Sequence, residues 1–187
     1  MEDKRGVRDR LYFAQKRLDD LKNLEGKYGG FLHSAQELER QQPVQEFFDH
    51  LVGAIEFLAQ TINEHRGMGN HEEDVTARAI CDQLPSGDPA KGIICQLHPK
   101  TKNMPLPSDP YSDEGSHFRI ILFRNRVTHH GRNPFNFIIG GGASCNLDLD
   151  PREDQKKIGA SKRPIVEELT IFWKLVSDKC EQVLKMT

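Results

Sequence analysis

The sequence predicts an all-α protein, an up-and-down bundle of four to five helices with long loop excursions. Two observations predict it. Apolar residues recur at alternating steps of four and three over long stretches, the spacing that lines one face of a helix. Glycine and proline stand at the borders of those stretches, where helices stop and start. The 187 residues are enough to bury one core, so a single domain over residues 1–187 is expected.

In the first stretch Val7, Leu11, Ala14, Leu18 and Leu21 form the stripe, with Lys, Arg and Asp opposite. Gly26 and then Gly29-Gly30 are its stop signals, and a short polar helix is expected over 31–40. Pro43 suits a first helical turn, so a second long helix is expected from there. Val44, Phe48, Leu51, Ile55, Leu58 and Ile62 line it, and Phe47, Val52 and Phe57 widen the stripe. A third helix is expected from Asn70, with Glu73 closing a capping box, to Leu84-Pro85. Residues 85–116 turn to Pro, Gly, Ser, Asp and Lys and read as a loop excursion, with at most an extended piece at Gly92-Ile93-Ile94-Cys95-Gln96-Leu97.

A fourth helix is expected from Ser116 to Gly131, packing through Phe118, Ile121, Leu122 and Val127. Residues 131–163 form the second excursion. Within it, Phe135 to Ile139, Gly140-Gly141-Gly142 and Leu147-Asp148-Leu149 are compatible with a small β-hairpin. The last helix opens at Pro164 and lines up Ile165, Leu169, Phe172, Val176, Cys180 and Val183, with Trp173 at its flank.

Net charge is −2, so no global field recruits nucleic acid or an anionic membrane, and any anion site must be local. Cys81, Cys95, Cys145 and Cys180 are widely spaced, which reads as reduced thiols in a cytoplasmic protein. No stretch is apolar enough for a membrane span, and no apolar segment follows the charged N-terminus. Cys95-Gln96-Leu97-His98 is the one pair with zinc-ligand spacing, and a structural site normally shows two such pairs, so no metal is expected. His71-Glu72-Glu73-Asp74 reads as a charged helix start. Gly140-Gly141-Gly142 lacks the lysine and Ser/Thr of a phosphate loop.

One window stands apart. Between Glu114 and Asp148 there is no carboxylate, while Arg119, Arg124, Arg126 and Arg132 give a local charge of +4, joined by His117, His129 and His130. Arginine suits bidentate contact with phosphate oxygens, and histidine takes and gives a proton near neutral pH. Asn125 and His129 are four apart on one helical face, so the amide can orient the imidazole. His129 and His130 fall at a helix end, where the partial negative charge raises a histidine's pKa. The plainer reading is a solvated helix face.

Arg124-Asn125, a short run and then His129 resembles the signature of HEPN domains (higher eukaryotes and prokaryotes nucleotide-binding): an arginine, a polar residue, and a histidine separated from the arginine by four to six residues, here four. His130 satisfies the same gap. The helix order, the late position of the motif, and the aromatic Phe47-Phe48 to Phe57-Leu58-Ala59 helix also resemble that family. The resemblance covers roughly 1–84 and 116–186 and leaves the excursions unexplained.

The resemblance implies a metal-independent endoribonuclease of stress or phage defence, without a cofactor. Arg124 would polarise the scissile phosphate, Asn125 would orient, and His129 would move a proton at the 2′-hydroxyl; His130, Arg126 and Arg132 are accessory candidates. It also implies a homodimer, which would double a set short of a separate acid and base. RNA and an antitoxin or regulatory protein are the partners expected, with no membrane role and no DNA specificity. The alternative is a non-catalytic helical module that binds RNA, a nucleotide or a protein through the same Arg/His surface.

Overall fold

The computed structural model describes residues 3–28, 34–130, 135–138, 144–152 and 159–187; for 3–4, 34–38, 128–130, 135–138 and 144 it describes the backbone alone. Six α-helices stand among the described residues: α1 Asp3–Tyr28, α2 Ser34–His65, α3 Ala77–Gln83, α4 Pro89–Leu97, α5 Asp113–His130 and α6 Ile165–Leu184. A 3₁₀ turn, Glu72–Asp74, precedes α3. Between α5 and α6, β1 (Phe135–Ile138) pairs antiparallel with β2 (Ser144–Leu147), in register from Phe135 against Leu147 to Ile138 against Ser144. The fold is the all-α bundle that the periodicity predicts, with a hairpin attached.

α2 is the central helix and packs on every other α-helix. Its stripe from Val44 to Ile62 is buried throughout, and so are the stripes of α1 and α6. α1 runs antiparallel to α2: Arg17 pairs with Glu46 at 3.2 Å, Arg10 meets His50 at 3.2 Å, and Gly6 lies under the Phe57 ring. α6 crosses α1 in the same sense, with Arg8 bonded to Glu181 at 2.9 and 3.0 Å and the Trp173 Nε1–H donated to the Leu11 carbonyl at 3.0 Å. Phe48 of α2 stacks on Phe123 of α5 with centroids 5.1 Å apart, which joins the two halves of the core.

The observed boundaries differ from the expected ones at five places. The separate polar helix and the helix from Pro43 are one element, because Pro43 lies inside α2. Asn70 does not cap a helix. It bonds Asn63 and Gln83, and α3 starts at Ala77 with Thr76 Oγ1 accepting the Ala79 N–H at 3.1 Å. The stretch 89–97 is a helix, not a loop or strand. Asp88 caps it, Pro89 opens it, and Ala90, Ile94 and Leu97 bury one face at steps of four and three. Ser116 is buried inside α5, whose first turn is held by Ser112 Oγ accepting the Gly115 N–H at 3.1 Å. The second strand of the hairpin is Ser144–Leu147, not Leu147 to Leu149. Thus 85–116 is only in part an excursion.

Gly115 is obligatory for the way α5 begins: a Cβ there would lie 2.3 Å from the Asp109 carbonyl oxygen. The four cysteines are not all reduced. Cys81 and Cys95 form a disulfide that joins α3 to α4, while Cys145 and Cys180 are free and buried. Disulfides belong to oxidising surroundings, so the reading of four reduced cytoplasmic thiols fails for this pair. No helix among the described residues is long and apolar enough to cross a membrane.

Arg119 is the largest departure from a surface reading of α5. It is fully buried, pairs with the buried Glu168 of α6, and donates to the carbonyls of Asp148 and Leu149 at 3.0 Å each. The Phe123 and Phe172 rings lie 5.4 and 5.6 Å from its guanidinium carbon. Replacing it with Met leaves a buried carboxylate and two carbonyls without their donor. Arg119→Met is expected to lower unfolding free energy by about 3–5 kcal/mol, while the double variant with Glu168→Leu recovers part of the loss. Urea unfolding checks this, and equal midpoints for Arg119→Met and wild type would refute it.

Candidate functional site

Helix α5 carries most of the island, and its described side chains go to two different places. His117 and Arg119 turn inward, each about 1 % exposed or less. Arg124, Asn125 and Arg126 are half-buried near the other end. His129 and His130 belong to the backbone of α5, but their side chains lie outside the described residues, as does all of Arg132. Gly140-Gly141-Gly142 lies outside them too. The supposed lack of acids is a property of the local sequence only, since Glu168 reaches Arg119 from α6.

Arg124 and Asn125 line a cleft of about 560 Å³. Its walls come from α2 (Glu56), the start of α3 (Val75, Thr76, Arg78), the end of α4 (His98) and the segment Pro99 to Lys102. Arg124 Nη1 donates to Asn125 Oδ1 at 3.4 Å, so the two neighbours hold each other. Thr101, Lys102 and Asn125 also line an adjoining hollow of about 530 Å³ with Arg126 and Arg152. Arg126 Nε is buried there without a hydrogen-bond partner among the described residues.

The two excursions build this region together. Arg152 pairs with Asp150 and donates to the Met104 carbonyl at 2.6 Å, which straps the 150–152 segment to the 101–104 turn. Asn103 takes the left-handed conformation in that turn, with φ 60°, which asparagine tolerates better than most residues.

Glu56 and His98 are among the cleft residues that the sequence does not assign to this site. Glu56 sits on α2, and its Oε2 accepts the Ala77 N–H at 2.7 Å, at the start of α3. Its Oε1 lies 3.5 Å from His98 Nε2. Burial holds the His98 imidazole below its ordinary value; Arg124 and Arg78 push the same way, and the Glu56 carboxylate pulls against them. His98 drew notice as a zinc-spaced neighbour of Cys95, but that thiol is committed to Cys81. Among the described residues no group of three or more His, Cys, Asp or Glu side chains is placed to hold a metal. A glutamate 42 residues upstream gives no local signal toward His98.

Compared with protein-family models, curated proteins and solved structures, this chain matches none. The reading of the site rests on its own residues.

His117 shows what burial does to an imidazole that is not in the cleft. It lines a separate hollow with Asp113, Glu114 and Gln96, and its Nε2 has no hydrogen-bond partner among the described residues. Burial pushes its pKa down to about 4, and Lys179 adds to the lowering. An unfolded histidine takes up its proton near pH 6.5. The unfolded chain therefore binds more protons between those values, and native stability falls as pH drops through that window. His117 alone accounts for about 2 kcal/mol of loss between pH 7 and pH 5. Denaturant unfolding at the two pH values should show that difference shrinking by this amount in His117→Leu. An unchanged difference would mean that His117 is not the group concerned.

Proposed function

We propose that this chain cleaves RNA without a metal, using Arg124, Asn125 and His129 at the α5 cleft. The observation that supports the reading is convergence of charge. Arg78, Lys100, Lys102 and Arg124 line one cleft with a single carboxylate, Glu56, in a chain whose net charge is −2. A cleft lined by one sign of charge concentrates a polyanion locally where the whole protein does not. The guanidinium fork of Arg124 matches the two non-bridging oxygens of a phosphodiester.

The chemistry follows from that anchor. The 2′-hydroxyl of RNA is an intramolecular nucleophile, so the protein need only bind the phosphate, stabilise the growing charge and move protons. Arg124 does the first two, and Asn125, bonded to it, limits its freedom. His129 follows one turn later on the same helix and supplies proton transfer, with His130, Arg126 and Arg132 as accessories. The likeness of Arg124-Asn125 and His129 to the HEPN signature supports metal independence and a homodimer. On this reading the chain is a stress or phage-defence factor, restrained by an antitoxin or other regulatory protein.

Binding without cleavage is the second reading, and one observation favours it. His117 and Arg119 are withdrawn into the core, which leaves the exposed part of the island smaller than its sequence suggests.

Wild-type chain in EDTA should cut a mixed RNA to 2′,3′-cyclic phosphate ends, and Arg124→Ala and His129→Ala should each lose about a hundredfold or more while staying folded. RNA retained but left intact by the wild type would replace catalysis with the binding module. Light scattering should show a dimer at micromolar concentration, and a fully active monomer there would end the dimer proposal.

A further inference from the structure

We infer that the hollow beside the Arg124 cleft is a second phosphate subsite, where Arg126 and Lys102 hold the phosphate next to the scissile one. Placing the scissile phosphate on Arg124 rests on the RNA-cleaving reading above. The helix itself separates the two positions. With about 3.6 residues per turn, Arg124 and Arg126 leave α5 on opposite flanks of Asn125. Asn125, Thr101 and Lys102 line both hollows, and each hollow receives one of the two arginines.

The charges of the second hollow are unevenly answered. Arg126, Arg152 and Lys102 line it, and no carboxylate does among the described residues. Arg152 is already neutralised. Its Nε and Nη2 meet the buried Asp150 carboxylate at 2.9 and 2.6 Å, and its Nη1 donates to the Met104 carbonyl. It therefore builds the wall. Arg126 is the opposite case: it is half-buried, and its Nε has no hydrogen-bond partner among the described residues. A buried donor without an acceptor costs free energy, which a ligand oxygen returns.

The shape and the surroundings select the ligand. The hollow holds about 530 Å³, room for one nucleotide unit. Leu122 and Pro151 give it a buried apolar floor, so an anion seated there meets Arg126 with less competition from water. A single free anion would satisfy Arg126, but it would leave the continuity of the two hollows unused. Anions repeated along one strand use both, and Lys102 stands at the shared rim between them. Holding two successive phosphates fixes which of them lies on Arg124, so the strand cannot slide by a nucleotide. Arg126 touches the substrate away from the reacting bond. It binds the ground state and the transition state alike, and its loss belongs in KM rather than in kcat.

The test uses the full chain as wild type, Arg126→Gln, Arg124→Gln and, as a charge control, Lys174→Gln on the exposed side of α6. The probes are a 2′-deoxy dinucleotide with one internal phosphate and the same molecule with a 5′- or a 3′-phosphate added, titrated by calorimetry. One of the two added phosphates should tighten binding about tenfold in wild type, in Lys174→Gln and in Arg124→Gln, and the end that does so gives the strand polarity. That gain should vanish in Arg126→Gln. On a 2′-deoxy hexanucleotide, Arg126→Gln should lower the slope of log Kd against log salt by about 0.7, whereas Lys174→Gln should leave it unchanged. Cleavage of RNA by Arg126→Gln should show KM raised about tenfold and kcat within about threefold of wild type. Its urea midpoint should hold or rise, because the variant removes a donor that the fold does not use. A lowered midpoint with the phosphate gain intact would make Arg126 a residue of the fold and overturn the subsite. A wild type that cleaves RNA but shows no Arg126-dependent gain would overturn the subsite alone. A wild type that shows the gain but cuts nothing would overturn the nuclease reading and leave the subsite as part of a binding module.

Discussion

A guanidinium with no exposure to water must find partners for its donors inside the protein, and Arg119 finds them on two other parts of the chain. Glu168 of α6 takes its charge, and the carbonyls of Asp148 and Leu149 take further N–H groups. These bonds hold the chain after the hairpin against α5. From there the Asn146 amide donates to the Ser161 carbonyl at 2.8 Å, the Ser161 N–H donates to the Leu147 carbonyl at 2.7 Å, and Arg152 reaches the 101–104 turn. The wall of the cleft thus depends on a salt bridge in the core. A buried pair of this kind adds little net stability over well-packed apolar residues, but it specifies which surfaces meet.

The helices that pack through a single stripe were legible in the sequence because burial on one face writes a period into it. The stripes of α1, α2 and α6 are buried residue for residue. Helix α5 hides its period, since Gly115 to Phe123 is buried on every side. That is why Arg119 and His117 read as surface residues when they are core. α4 was missed for another reason: its three buried residues span barely two turns within a segment of turn-forming composition. Pro43 was read as a beginning because proline favours that position, yet α2 carries it internally.

The site was legible to the extent that it is local. Arg124 and Asn125 share a cleft as their adjacency suggests, whereas Glu56, Arg78 and His98 arrive from separate elements. Reading an absence of acids from a window of sequence fails for the same reason, because electrostatic neighbours are chosen by packing. The two excursions have a physical role that their composition conceals. They supply Lys100, Lys102 and Arg152 to the rim and close it through the Arg152–Met104 bond.

Trp173 is the one tryptophan of the chain, and it sits half-buried where the first helix meets the last, bonded through its indole to Leu11. None of the residues lining the Arg124 cleft belongs to either of those helices. Indole emission therefore reports the docking of the termini and is blind to the chemistry between α2 and α5. The molecule carries its own optical probe of one junction: a cleft variant with an unaltered spectrum has kept its first helix docked on its last.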